Sequence, residues 1–67
     1  MRVNVVLDDG LDLDSFSERL SEKGIPVSQR LKMLNTLTAD VPDHQVAEVR
    51  AMVGVRAVEP DREVHAV

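Results

Sequence analysis

The residues of this chain that could carry chemistry are four clustered aspartates, two histidines and two lysines. The aspartates are Asp8, Asp9, Asp12 and Asp14. An EF-hand loop that began at Asp8 would need glycine at its sixth position and glutamate at its twelfth, but Leu13 and Arg19 stand there. The spacing therefore predicts turn formation and helix capping for these carboxylates, and no calcium site.

The histidines and lysines do not form a catalytic pattern. His44 and His65 lie far apart and have no cluster of ligands around them, and the chain has no cysteine for a thiolate site or a disulfide. Lys23 or Lys32 could form a Schiff base only in a desolvating pocket, which so short a chain can hardly enclose. We expect no enzyme activity, no catalytic residue, no metal and no cofactor.

The carboxyl end of the chain suggests recognition instead. A strand-like segment ends in the acidic turn Glu59-Pro60-Asp61, and a short tail without glycine follows it. An extended, partly apolar peptide with a free C-terminus can enter the substrate groove of another protein as an added strand. A body that holds such a tail in place is suited to inhibit or chaperone a protease.

Charge and hydropathy exclude several other classes of partner. The net charge is -4 and the pI is about 4.9, which argues against nucleic acid and anionic lipid as partners. No apolar run is long enough to span a membrane. The segment after Met1 lacks the apolar core of a signal peptide, so we expect a cytoplasmic protein, or a secreted one if the chain is an excised prosegment.

The chain length predicts one small domain of limited stability. A domain of 67 residues buries only about 60% of the surface of its unfolded chain. Phe16 is the only aromatic residue, so aliphatic side chains must form the core, at roughly 1.5–3 kcal/mol for each one fully buried. We expect a fold that is weak alone and firmer when a partner binds it.

Four strands are predicted, three of them from segments in which apolar and polar residues alternate. The predicted inward faces are Val3, Val5 and Leu7 in the first strand, Val27, Leu31 and Met33 in the second, and Leu37, Ala39 and Val41 in the third. A tight connection near residues 34–35 joins the second strand to the third. Residues 55–59 are predicted to form the fourth strand.

Two helices are predicted from apolar residues that recur every three or four positions. The first begins at Asp12 or Asp14, either of which can cap it, and ends near Gly24. The second begins after Pro42 and ends at Gly54. The predicted apolar stripes are Leu13, Phe16 and Leu20 in the first helix, and Val46, Val49, Met52 and Val53 in the second.

The order β-α-β-β-α-β predicts an α+β, ferredoxin-like fold with a four-stranded antiparallel sheet and two helices on one face. This domain would comprise residues 1–61, and residues 62–67 would form an extended C-terminal docking tail. The predicted open sheet face carries Asn4, Val6, Ser28, Arg30, Lys32, Thr36, Thr38 and Arg56. It has no aromatic residue for stacking a base and no Cys-x-x-Cys, so neither an RNA-recognition nor a metal-carrying domain is indicated.

The last strand and the tail together carry a sequence motif. They read Val55-Arg56-Ala57-Val58-Glu59-Pro60-Asp61 and Glu63-Val64-His65-Ala66-Val67. This pattern resembles the subtilisin-propeptide family of peptidase inhibitors. In that family the last strand reads valine, two variable residues and Val-Glu-x-Asp, and the tail often ends in His-Ala and a hydrophobic residue. Residues 46–52 resemble the family's second helix, so the specific resemblance covers about half of the chain.

The resemblance implies an inhibitor, or folding chaperone, of a subtilisin-like serine protease. The open sheet face would dock on two surface helices of the protease, with Glu59 and Asp61 near the N-termini of those helices. The tail would lie between protease strands in the manner of a product, so that no peptide bond spans the catalytic serine. The implied protease-binding residues are Glu59, Asp61, Glu63, Val64, His65, Ala66 and Val67.

The resemblance assigns each tail residue a place in the cleft. Val67 would occupy the first specificity pocket, Ala66 the second and Val64 the fourth, while His65 would point toward solvent. Val67 departs from the family, because pockets of this type commonly take a larger side chain. Met1 stands just before the first strand, which suggests a stand-alone inhibitor, monomeric or weakly dimeric, although an excised prosegment stays an alternative.

Two other interpretations come from resemblance to other proteins. Short bacterial chains of this kind sometimes carry the label ketohydroxyglutarate aldolase, but aldolases of that name are barrel enzymes of about 200 residues or more. The element order is also that of ACT-type modules, which bind amino acids at a dimer interface near the loop after the first strand. Asp8-Asp9-Gly10 occupies that loop, and Gly10-Leu11 fits the usual glycine and apolar pair weakly.

Overall fold

The computed structural model describes residues 1–61. In chain order its elements are β1 (Arg2–Leu7), α1 (Leu13–Glu22), β2 (Val27–Leu31), β3 (Thr36–Asp40), α2 (Val46–Arg50) and β4 (Val55–Pro60). Short 3₁₀ turns at Lys32–Leu34 and Asp43–Gln45 precede β3 and α2. The predicted α+β arrangement is confirmed, and its order fits a ferredoxin-like fold.

The four strands form one antiparallel sheet in the order β2-β3-β1-β4. In the centre of the sheet, Val5 of β1 pairs with Leu37 of β3 on one side and with Val58 of β4 on the other. Residues that are directly opposite in neighbouring strands point to the same face. These three side chains therefore form one layer, and all three are buried.

The two helices cover that same face. The buried apolar core comprises Val3, Val5, Leu7, Leu13, Phe16, Leu20, Ile25, Leu37, Ala39, Val41, Val49 and Val58. It joins the stripe of α1 and Val49 of α2 to the inward faces predicted for β1 and β3. Those predicted faces, and the predicted stripe of α1, are confirmed.

The predicted inward face of β2 is wrong beyond Val27. The pairing of β2 with β3 shifts register between Val27 and Gln29, which marks a bulge. A bulge adds one residue to a strand and reverses the alternation after it. Val27 consequently packs against the core, but Leu31 pairs with Thr36 on the open face. Met33 lies beyond the end of the strand and is 98% exposed.

The same bulge changes which charged residues lie on the open face. Arg30 is on the helix side, where its Nε atom is 3.2 Å from Oδ1 of Asp14 in α1. Lys32 lies in the 3₁₀ turn, and Arg56 lies beside the β1–α1 loop with its Nε atom 3.5 Å from Oδ1 of Asp8. The prediction that Arg30 and Lys32 line the open face is therefore wrong.

The second helix is shorter than predicted. Its α-helical part ends at Arg50, and residues 51–54 form the turn that leads into β4. Val49 is fully buried, and Val46 and Met52 pack against the core. Val53 is 89% exposed because it follows the end of the helix, so its assignment to the apolar stripe is wrong.

Candidate functional site

The end of β4 is fixed to the start of β1 by a paired side chain and a backbone hydrogen bond. Nε of Arg2 lies 3.0 Å from Oδ2 of Asp61, and the backbone N–H of Asp61 donates to the carbonyl oxygen of Arg2 at 3.1 Å. The side chain of Asp61 is only 6% exposed, whereas that of Arg2 is 53% exposed. These two contacts therefore hold Asp61, the last described residue, against the sheet, and we call the Arg2–Asp61 pair the anchor.

Glu59 has a different environment. It is exposed on β4, an edge strand of the sheet, and its backbone pairs with Asn4 of β1. That pairing puts the Glu59 side chain on the open face, away from the helices. Of Glu59 and Asp61, the two described acids predicted to contact a protease, only Glu59 presents its carboxylate to solvent.

The open face is polar at its centre. The hydroxyl of Thr38 donates to Oδ1 of Asn4 at 2.8 Å, and the hydroxyl of Thr36 donates to the carbonyl oxygen of Leu34 at 2.8 Å. Both threonines are buried although they face away from the helices. From the register of the strands, this face carries Arg2, Asn4, Val6, Gln29, Leu31, Thr36, Thr38, Asp40, Ala57 and Glu59.

A shallow cavity lies next to the anchor at Asp61. Its volume is about 440 Å³, and it is lined by Arg2, Pro26, Val27, Ser28 and Asp40. Arg2 thus contacts Asp61 and also lines the cavity, so the described chain ends close to this opening. The predicted binding residues Glu63, Val64, His65, Ala66 and Val67 lie outside the described residues.

Of the clustered aspartates, Asp12 takes the predicted capping role, and Asp9 lies in a turn with Gly10. Asp12 caps α1: its Oδ1 accepts a hydrogen bond from the backbone N–H of Asp14, and its Oδ2 accepts one from the hydroxyl of Ser15. Asp8 and Asp9 lie beside Arg56. Among residues 1–61 no group of three or more histidine, aspartate and glutamate side chains could hold a metal ion.

Lys23, Lys32 and His44 lie on the surface. Nζ of Lys23 donates to Oε2 of Glu48 at 3.0 Å, and this hydrogen bond, with the positive charge of Lys23, lowers the pKa of Glu48. This contact joins the end of α1 to α2. His44 is exposed at the start of the second helical segment, and Lys32 is exposed beside Met33.

Sequence reasoning missed two residues that position the site. Arg2 was recognised only as the start of a strand, and its pairing with Asp61 joins positions at opposite ends of the described chain. Asn35 was recognised only as part of a connection. Its Nδ2 atom donates to the carbonyl oxygens of Leu7 and Asp8, which fastens the β2–β3 connection to the β1–α1 loop. The one available signal for the Arg2–Asp61 pair was that a basic and an acidic residue would lie opposite each other on two neighbouring predicted strands.

No helix within residues 1–61 is long and apolar enough to cross a membrane. Comparison with known proteins found no family model that matches the chain and no curated protein that matches it.

Proposed function

We propose that this protein inhibits a subtilisin-like serine protease by offering its own carboxyl end to the substrate cleft as a product-like strand. In this mechanism residues 62–67 lie along the cleft, Val67 enters the first specificity pocket, and no peptide bond spans the catalytic serine. The sheet serves as the platform from which the tail leaves. The proposal rests on the resemblance of residues 55–67 to propeptide-type inhibitors and on the geometry at Asp61.

The pairing of Arg2 with Asp61 is the observation that carries the proposal. The ion pair at 3.0 Å and the backbone hydrogen bond at 3.1 Å hold the chain in place up to the residue before the tail. A peptide that leaves a fixed point loses less conformational entropy on binding than a free peptide does. The anchor therefore favours tight binding to the protease even by a tail of only six residues.

The surface around the anchor is compatible with a protease as partner. Glu59 is exposed at the edge of the open face, where a carboxylate can approach the unpaired N–H groups at a helix N-terminus. Such a contact contributes about 0.3–1 kcal/mol at an exposed site. Asp61 acts in this mechanism by orienting the tail, because its carboxylate is already paired with Arg2.

The deciding experiment is a titration of a panel of serine proteases, including subtilisins, with the purified chain. We expect competitive, reversible inhibition of a subtilisin-like member. Deletion of Val64 to Val67 should abolish it, and Asp61→Asn should weaken it about ten- to hundredfold, since a hydrogen bond to a charged group contributes about 1.5–3 kcal/mol.

The matched control is Glu18→Gln, which removes one exposed carboxylate from α1, on the opposite face of the sheet. Its inhibition constant should equal that of the unchanged protein. Inhibition that survives loss of the last four residues would contradict the tail mechanism, and absence of inhibition across the panel would contradict the function.

A second candidate function is amino-acid sensing by an ACT-type module. One observation favours it, a cavity of about 280 Å³ beside the β1–α1 loop, lined by Leu11, Asp12, Leu13, Asp14, Lys32 and Asn35. Lys32 could meet the carboxylate of an amino acid, and Asp12 or Asp14 its ammonium group. A rise in melting temperature with one of the twenty amino acids, in the absence of protease inhibition, would favour this candidate.

A further inference from the structure

Three loops at one end of the sheet present apolar side chains to solvent. They are the β2–β3 connection, the β1–α1 loop and the α2–β4 turn. Their exposed apolar residues are Met33 at 98%, Leu34 at 66%, Val53 at 89% and Leu11 at 37%. We name these four residues the loop-end patch. Met1, at the other end of β1, is the remaining large apolar residue exposed within residues 1–61.

Hydrogen bonds hold the three loops side by side. The backbone N–H of Leu7 donates to the carbonyl oxygen of Asn35 at 2.9 Å, which joins the first two loops. The N–H of Asp8 donates to the carbonyl oxygen of Gly54 at 2.8 Å, which joins the second loop to the third. The patch is thus a continuous rim with the β1–α1 loop in the middle, Met33 and Leu34 on one side and Val53 on the other.

Residues 62–67 are too few to cover the whole of this rim. Asp61 is bonded to Arg2 at the opposite end of β1, and a six-residue strand is about 20 Å long. Residues 62–67 extend at most about 20 Å as well, so only the last of them could arrive at the patch.

The charges around the patch are complementary to a second copy of the same surface. Lys32 is exposed on the Met33 side and makes no ion pair within residues 1–61. Asp9 lies on the Val53 side, beside Arg56, and its side chain is 93% exposed. A two-fold axis through the β1–α1 loop would bring Lys32 of each copy to Asp9 of the other, and Met33 to Val53. Such mutual exchange of contacts defines an isologous interface.

We infer that the loop-end patch is a homodimer interface, formed by end-to-end contact of two copies without any added ligand. The rim is small, so the dimer belongs to the weak class of interfaces that bury less than about 1,200 Å² in total. The inference is independent of protease inhibition, because the patch lies at the opposite end of the sheet from Asp61.

The test is sedimentation equilibrium of the full chain from about 1 µM to 1 mM, a range that spans weak complexes. We expect a monomer–dimer equilibrium. The variant Met33→Ser/Val53→Ser should raise the dimer dissociation constant at least tenfold, and both sites are so exposed that the fold should stay intact by circular dichroism. A chain that stays monomeric up to 1 mM would overturn the inference.

The charge pairing has a sharper test in two single variants. Lys32→Asp and Asp9→Lys should each abolish the homodimer, because each puts like charges opposite one another across the two-fold axis. An equimolar mixture of the two variants should form a heterodimer, because both cross-contacts then join opposite charges. The control pair Glu18→Lys and Arg50→Asp, on exposed helix positions, should leave the homodimer unchanged. Failure of the mixture to associate would overturn the two-fold arrangement. A homodimer that is insensitive to the substitutions at Met33, Val53, Lys32 and Asp9 would overturn it as well.

Discussion

At the scale of single residues, Gly54 is the most constrained position outside the core. Its φ angle is 97°, a left-handed conformation that side chains with a Cβ rarely adopt. A Cβ added there would lie 2.5 Å from Cδ1 of Leu11. Gly24 has a similar φ of 81°, but a Cβ there would meet no atom within 4 Å. The two glycines therefore differ in whether an added Cβ would touch a neighbouring side chain, and they hardly differ in backbone conformation.

Alanine at these two positions should separate backbone strain from steric overlap. Gly24→Ala should lower the free energy of unfolding by about 1–2 kcal/mol, the cost of a left-handed residue with a Cβ. Gly54→Ala should cost about the same, because the atom that an added Cβ would meet is the far end of the partly exposed Leu11 side chain, which can rotate aside. Urea denaturation of both variants measures the difference. A much larger loss at Gly54 would mean that the Leu11 side chain is held in place.

Residue-scale features were predictable where they depend on near neighbours in sequence. The cap at Asp12 contacts Asp14 and Ser15, and the sequence alone identified it as a candidate. Asn35 lies in the left-handed region at φ 51°, as a tight connection requires. Its bond to Leu7 spans 28 positions, and no local pattern indicates such a contact. Long-range polar contacts are set by the tertiary fold.

At the scale of elements, α2 shows how tertiary packing corrects a periodic pattern. Val46, Val49, Met52 and Val53 all fit a helical stripe if the helix runs to Gly54. Because the helix ends at Arg50, Met52 turns inward and Val53 outward. The sequence correctly indicated the helix, but the helix ends four residues before Gly54, at Arg50.

A matched pair of substitutions tests this boundary. Val49→Ala should destabilise the protein by about 1–3 kcal/mol, because it removes methyl groups from a fully buried side chain. Val53→Ala should change the free energy of unfolding by less than about 0.5 kcal/mol, as exposed substitutions usually do. Thermal or urea unfolding of both variants provides the measurement. A large loss at Val53 would contradict the helix end at Arg50.

The contact between Lys23 and Glu48 makes the junction of the two helices sensitive to pH. The hydrogen bond and the charge of Lys23 lower the pKa of Glu48 below its ordinary 4.5. A carboxylate whose pKa is lowered by folding stabilises the folded state above its unfolded pKa, and this contribution is lost as pH falls through the folded pKa. Both groups are largely exposed, so the effect should be small.

Comparison of the unchanged protein with Glu48→Gln should reveal that effect. The unchanged protein should be slightly more stable at pH 7, and the difference should shrink as pH falls from about 5 to 3. Urea midpoints across this pH range measure it. Glu22→Gln, an exposed carboxylate in the last turn of α1, is the control for general loss of negative charge. A difference that stays constant with pH would exclude the proposed linkage.

The bulge in β2 explains the largest error in predicting the elements. Residues 27–33 alternate well enough to suggest one continuous strand, and no glycine marks the irregularity. The bulge is defined by pairing with β3, where Val27 lies opposite Ala39 and Gln29 opposite Thr38. It also interrupts the alternation along an edge strand, which protects the edge from pairing with other chains. Such a feature depends on the partner strand and is not visible in β2 alone.

At the scale of the whole molecule, two ends of one sheet carry different surfaces. At one end Arg2 pairs with Asp61, and the opposite end carries the loop-end patch. The core between them is small and almost wholly aliphatic. Element order and aliphatic periodicity were sufficient to predict the fold. The tail residues of the proposed site came from resemblance, and the pairing of Arg2 with Asp61 became visible only in the fold.

If the platform serves to orient the tail, inhibition must depend on how much of the protein is folded. The apparent affinity of a protein falls in proportion to the fraction in its binding-competent state. In moderate urea that a robust protease tolerates, Val49→Ala should therefore raise the inhibition constant in inverse proportion to its folded fraction, about twofold when half of it is unfolded, while Val53→Ala should follow the unchanged protein. Inhibition constants and circular dichroism, recorded in the same solutions, measure both quantities. An inhibition constant that stays fixed while half of the Val49→Ala protein unfolds would mean that the tail acts as a free peptide, and the role of the Arg2–Asp61 anchor would be contradicted.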